Sequence, residues 1–135
     1  MRAVLPRLAL FALVSLPVVA WAVPSASEVK KAIKSGDQAT VSQMLASVAG
    51  QLDDDIVKAI IDASPRLKTL GVYDGLIDAL KTARGEALEE LIKGYEKQRR
   101  PDVRFLIIDA LGKVPEPAAE AVLVDALRED KDETV

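Results

Sequence analysis

Apolar residues recur along this chain in two interleaved helical series that share a step of 31 residues. Val72, Leu76 and Leu80 are answered by Val103, Ile107 and Leu111, each 31 positions on. Ile60, Leu91 and Val122 keep that step of 31, as do Ile61, Ile92 and Leu123. The earliest copy fits less tightly, with Val48 to Leu80 giving 32. The pattern is clearest after Pro101. Val103, Leu106, Ile107, Ala110 and Leu111 form one stripe, and after a Pro-marked turn Ala119, Val122, Leu123, Ala126 and Leu127 form another. Both follow the i, i+3, i+4, i+7, i+8 spacing that lines one face of a helix. Hairpins of this kind bury their stripes by stacking on the next copy, so the shared step predicts an array. An irregular bundle of similar-length helices is the alternative, against which several offsets of one value weigh.

Cap and breaker residues punctuate the rest of the chain. A short helix is expected over 27–35, with Ser27 as its cap, Val29, Ala32 and Ile33 on its apolar face, and Gly36 ending it. Asp37 opens a second through Val41, Met44, Leu45, Val48 and Ala49, stopping at Gly50. Asp53, Asp54 and Asp55 lead into a third carrying Ile56, Val57, Ile60 and Ile61, which Pro65 is expected to terminate. Residues 66–71 then read as a linker. A fourth helix runs from about Val72 through Leu76, Ile77, Leu80 and Ala83, and Gly85 separates it from a fifth with Leu88, Leu91, Ile92 and Tyr95. Pro101 begins the sixth helix and Glu116-Pro117 the seventh. No segment alternates with period two over a useful length, so the chain is expected to be all-α.

The first residues stand apart. Arg2 and Arg7 precede an apolar run from Leu8 to Val19, and Ala20-Trp21-Ala22 supplies the small-x-small pattern that signal peptidase cuts after. Residues 1–22 therefore read as a signal peptide. The competing reading is an uncleaved anchor, but a span needs roughly 20 apolar residues and this run is shorter. Cleavage would leave residues 23–135 as one exported domain, periplasmic or secreted, with no membrane span. It would also remove two arginines, leaving 16 basic against 21 acidic residues and a formal charge of −5 in place of −3. Such an acidic domain lacks the basic footprint of a nucleic-acid binder. Its densest basic cluster, Lys97, Arg99, Arg100 and Arg104, reads as a solvated helix end.

Residues 101–130 resemble a HEAT-like repeat of the short bacterial kind also found in phycobilisome lyases. The resemblance rests on Asp102-Val103-Arg104, Ala110-Leu111-Gly112, the Pro117 entry and the "LVDALRED" run in the second helix. Residues 72–97 are similar to a degenerate copy, lacking Arg at 73 and Gly at 81, and residues 40–64 to a weaker one. A repeat from 131 is incomplete. The resemblance implies a right-handed α-solenoid of about three stacked hairpins plus an N-terminal helix. It also implies structural roles for Asp102, Arg104, Gly112 and Pro117, the first two tying one repeat to the next. Tyr73 departs from that pattern. A tetratricopeptide array is the nearest competitor, but its usual step is 34 and its Trp, Gly-Tyr and Pro pattern is missing.

The residue inventory argues against chemistry. The chain contains no histidine and no cysteine, which excludes Ser-His and Cys-His nucleophiles, disulfides and the His-Glu iron site of the similar deoxyhypusine hydroxylase. Asp53, Asp54 and Asp55 lack the loop and central glycine of an EF-hand and are read as helix-capping acids. No catalytic residue, metal ligand or cofactor is expected. Phe105 lies off its helix's apolar face, either packed against a neighbouring repeat or forming part of a binding surface. The expected function is a non-catalytic scaffold for a protein or peptide partner. The alternative is an accessory N-terminal repeat domain of a longer exported enzyme or receptor.

Overall fold

A computed structural model describes residues 24–129. The signal-peptide reading, with Ala20 and Ala22, and the incomplete repeat from 131 lie outside the described residues. Those described form seven helices and no strand. They are α1 (Ala26–Ser35), α2 (Gln38–Val48), α3 (Asp54–Thr69), α4 (Tyr73–Leu80), α5 (Glu86–Lys97), α6 (Pro101–Leu111) and α7 (Pro117–Glu129).

Local chemistry sets most of the helix starts. Ser25, rather than Ser27, caps α1: its hydroxyl accepts from the Glu28 N–H while the Glu28 carboxylate accepts from the Ser25 N–H. This reciprocal arrangement satisfies two donors left over at the helix start. Asp37 and Asp53 cap α2 and α3 by accepting from the N–H groups of Thr40 and Ile56. Pro101 and Pro117 stand first in α6 and α7, where a missing N–H costs nothing.

Pro65 does not end α3. The helix continues one turn to Thr69, so four of the six supposed linker residues are helical. Proline removes the N–H that would have bonded the Ile61 carbonyl. The hydroxyl of Ser64, the one buried polar side chain among the described residues, donates to that same oxygen at 2.7 Å. The helix stops where a left-handed Gly71 (φ +74°) allows Gly71 N–H to reach Lys68 O and Val72 N–H to reach Leu67 O, a Schellman closure. The continuation places Arg66 on the helix surface, one turn beyond Asp62.

The helices pack in two layers. In one, α1, α3, α5 and α7 lie side by side; in the other, α2, α4 and α6 do. Consecutive helices pack closely within α1–α2, α3–α4, α5–α6 and α6–α7. The 31-residue step governs burial across both layers and reaches further back than the sequence reading took it. Val29, Ile60 and Leu91 are each fully buried, one per helix at intervals of 31. Val41, Val72 and Val103 are likewise buried at that interval in the other layer, Val72 just ahead of α4, as are Leu45, Leu76 and Ile107. Val48 therefore corresponds to Ala79 at a step of 31, not to Leu80. α4 is shorter than expected, ending at Leu80, and Ala83 is buried from the turn that follows.

Candidate functional site

The equivalence of α1, α3 and α5 exposes one place where the array departs from itself. Between α3 and α5 the backbones approach so closely that a Cβ on Gly94 would stand 2.6 Å from Ile61 Cδ1. Ile61, 6% exposed, plugs that joint. Counting back 31 residues, the position of Ile61 is held in α1 by Lys30, and that of Gly94 in α3 by Ala63. A cation whose head seeks water replaces the plug. A hollow of about 320 Å³ results, lined by Lys30, Ile33 and Lys34 of α1 and by Ala59, Asp62, Ala63 and Arg66 of α3.

Its chemistry is divided by height. Ile33 and Ala59 are buried and form an apolar floor with the half-buried Ala63. Lys30, Lys34 and Arg66 stand at the exposed rim with Asp62. Arg66 is held in place by a bond from Nη2 to the Lys34 carbonyl, 3.4 Å. That oxygen lies in the last turn of α1, the electronegative end of a helix. The equivalent joint further along has the opposite character: a smaller hollow of about 220 Å³ is lined by Asp54, Glu86, Glu89 and Glu90, with Lys93. On α1 alone Lys30 and Lys34 look like a solvated face, and the sequence reading left Arg66 in a linker. Extending the 31-residue step back to Val29 would have aligned Lys30 with Ile61 and revealed the missing plug.

The residues singled out from sequence lie elsewhere, around the α5–α6 junction. Arg104 Nη1 donates to the carbonyls of Tyr95 (3.0 Å) and Gln98 (3.1 Å) at the end of α5, and its guanidinium lies 4.2 Å from the Tyr95 ring centroid. It thus joins α6 to the helix before it through charge-assisted bonds and a cation–π contact. Asp102 instead forms a two-bond pair with Arg100 (2.8 and 3.1 Å) and accepts from the Val103 N–H. The Arg100 hydrogen bond is the main reason its carboxyl titrates below the usual range. Gly112 closes α6 and Pro117 opens α7, as their positions in sequence suggest.

Tyr73, at the position equivalent to Arg104, makes a tie of a different kind. Its hydroxyl donates to Asp109 Oδ2 at 2.8 Å, linking α4 to α6. Burial, then the hydrogen bond to Asp109, raises the phenol above its ordinary value. Asp109 is held below the carboxylate range chiefly by Lys113, whose Nζ lies 2.7 Å from Oδ1, and further by Tyr73.

Phe105 is 44% exposed. Leu127, which the sequence placed on the core stripe of α7, is 82% exposed, and Val124 is 46% exposed. Val122 is half-buried where its equivalent Leu91 is buried, while Leu123 and its equivalent Ile92 are both half-buried. Val124 and Leu127 are thus exposed apolar side chains on α7.

No three acidic residues lie close enough to hold a metal ion among the described residues. Asp53 is occupied as a cap, while Asp54 and Asp55 are exposed. No described helix is long and apolar enough to cross a membrane. No family model, curated protein or solved structure matches the chain.

Proposed function

We propose that residues 23–135 are a non-catalytic interaction scaffold, built as a right-handed solenoid of HEAT-like hairpins and exported after removal of the leader. The observation that carries this reading is the 31-residue register of buried positions running through both layers. In such an array the interior positions are committed to stacking, and function falls to the grooves and outer side chains of successive repeats. Phe105 and the hollow between α1 and α3 are surfaces of that kind. With neither histidine nor cysteine, the chain holds no Ser-His or Cys-His pair.

A second reading, an accessory domain of a longer exported protein, is favoured by α7. Its exposed Val124 and Leu127 give it an apolar face of the sort that a further packed element would cover.

Photocrosslinking tests the scaffold. With a benzoylphenylalanine in place of Phe105, and separately of Lys34, exported extracts should yield a saturable adduct with a polypeptide that excess unlabelled chain displaces. Absence of a competed adduct at either position contradicts the scaffold. The mass of the exported chain tests the leader: it should start at Val23 and lack Trp21, and retained Trp21 would contradict cleavage after Ala22.

A further inference from the structure

We propose that the α1–α3 groove binds an extended acidic peptide in which carboxylates alternate with aliphatic side chains. This deepens the scaffold reading and rests on it. Three hollows bear on the choice. The largest, about 590 Å³, is lined by Lys81, Arg84 and Lys113 with Thr82 and Pro115. Each of those cations already has an acid: Asp78 at 3.1 Å, Glu116 at 3.4 Å and Asp109 at 2.7 Å. The hollow on α3 and α5 is itself acidic. In the α1–α3 groove, Lys30, Lys34 and Arg66 have no carboxylate within ion-pair distance among the described residues, and the floor beneath them is apolar. Asp62 offsets one of the three charges, so the lining keeps two in excess. A chain that is acidic overall thus gathers unneutralised cations around an apolar trough.

The spacing selects a peptide rather than a single anionic head. Lys30 and Lys34 are one turn apart on α1, about 6 Å along the axis. Side chains i and i+2 of an extended strand point the same way about 6.8 Å apart. Two such carboxylates can meet Lys30 and the Lys34–Arg66 pair together. The residue between them is turned to the opposite side, against Ala59, Ala63 and Ile33. Arg66, already anchored on the Lys34 carbonyl, retains other donors for a carboxylate fork.

The probe is a fluorescein-labelled Glu-Leu-Glu-Leu-Glu peptide, titrated into the full exported chain and followed by anisotropy and by backbone amide shifts. Binding should weaken with salt, and the shifts should cluster on α1 and α3. Arg66→Glu and Lys34→Gln should each preserve the helical circular dichroism. Charge reversal at Arg66 should weaken binding roughly tenfold and the Lys34 change by less. Glu89→Lys, on the acidic hollow, should leave it unchanged. Peptides with Gln for Glu or Ser for Leu should bind more weakly. Should Arg66→Glu lose its helical signal, Lys34→Gln with the peptide series decides. Equal binding of the Gln peptide, tighter binding of decanoate than of the peptide, or shifts confined to the Phe105 face would each overturn the proposal. The last of these would leave the scaffold standing; absence of both peptide binding and any photocrosslink would remove both.

Discussion

The joints α1–α3 and α3–α5 are the same joint built twice, and they differ in what fills the space between the helices. In the second, Gly94 lets the helices meet and Ile61 fills the space between them. In the first, Ala63 and Lys30 occupy those two positions, and a trough with a cationic rim takes the place of the plug. The buried register on either side of the two joints is the same.

The comparison first requires that α3 and α5 occupy equivalent places. Ile60→Ala and Leu91→Ala, both at fully buried positions, should each cost about 2–5 kcal/mol in urea unfolding. Val122→Ala, the next position in the series but half-buried, should cost about 1 kcal/mol. A Val122 effect as large as that at Leu91 would break the equivalence.

A matched pair of substitutions separates closed from open. Gly94→Val pushes a branched side chain into Ile61 and should destabilise by about 1–3 kcal/mol. Ala63→Val adds methyl groups beside the trough and should cost less than about 1 kcal/mol. Equal losses would mean that the first joint is as tightly packed as the second.

The other layer supplies the fixed frame. Tyr73→Phe removes the α4–α6 hydrogen bond and should cost about 1–2 kcal/mol near neutral pH. The sign of its pH dependence follows from both partners. Asp109 titrates low in the fold, so its contribution is present above the unfolded carboxyl value, about 3.9, and is lost as pH falls through the lower folded value. Tyr73 titrates high in the fold, so its contribution is present below about 10 and declines as pH rises beyond that. The gap between wild type and Tyr73→Phe should therefore narrow at both extremes, and a gap independent of pH would contradict the bond. The smallest stability change belongs to Lys30→Ile, which restores the plug: within about 0.5 kcal/mol, yet with peptide binding abolished. Retained binding would place the ligand elsewhere.

Much of the architecture was legible because helical amphipathicity is a local signal. The stripes at Val103–Leu111 and at Leu88, Leu91 and Tyr95 can be read without knowing any neighbour, and they recur as buried positions. What escaped depended on compensation or on facing surfaces. Pro65 reads as a breaker until Ser64 is seen to satisfy the Ile61 carbonyl. Leu127 fits a helical stripe by spacing, but burial needs an element on its far side, and none of the described residues provides one. The groove was invisible for the same reason: Lys30 and Lys34 look solvated on α1 alone, α3 sets Ala63 beside them, and its continuation past Pro65 adds Arg66.

The asymmetry between the joints can be measured with one reagent, because the chain has no cysteine of its own. Single-cysteine variants Ala63→Cys and Ile61→Cys should be labelled with a thiol-reactive dye under native conditions. The account predicts rapid reaction at residue 63, slowed by the acidic peptide, and slow reaction at residue 61, limited by local opening. Slow reaction at residue 63, or no slowing by peptide at concentrations that saturate the anisotropy signal, would contradict an open, ligand-binding trough.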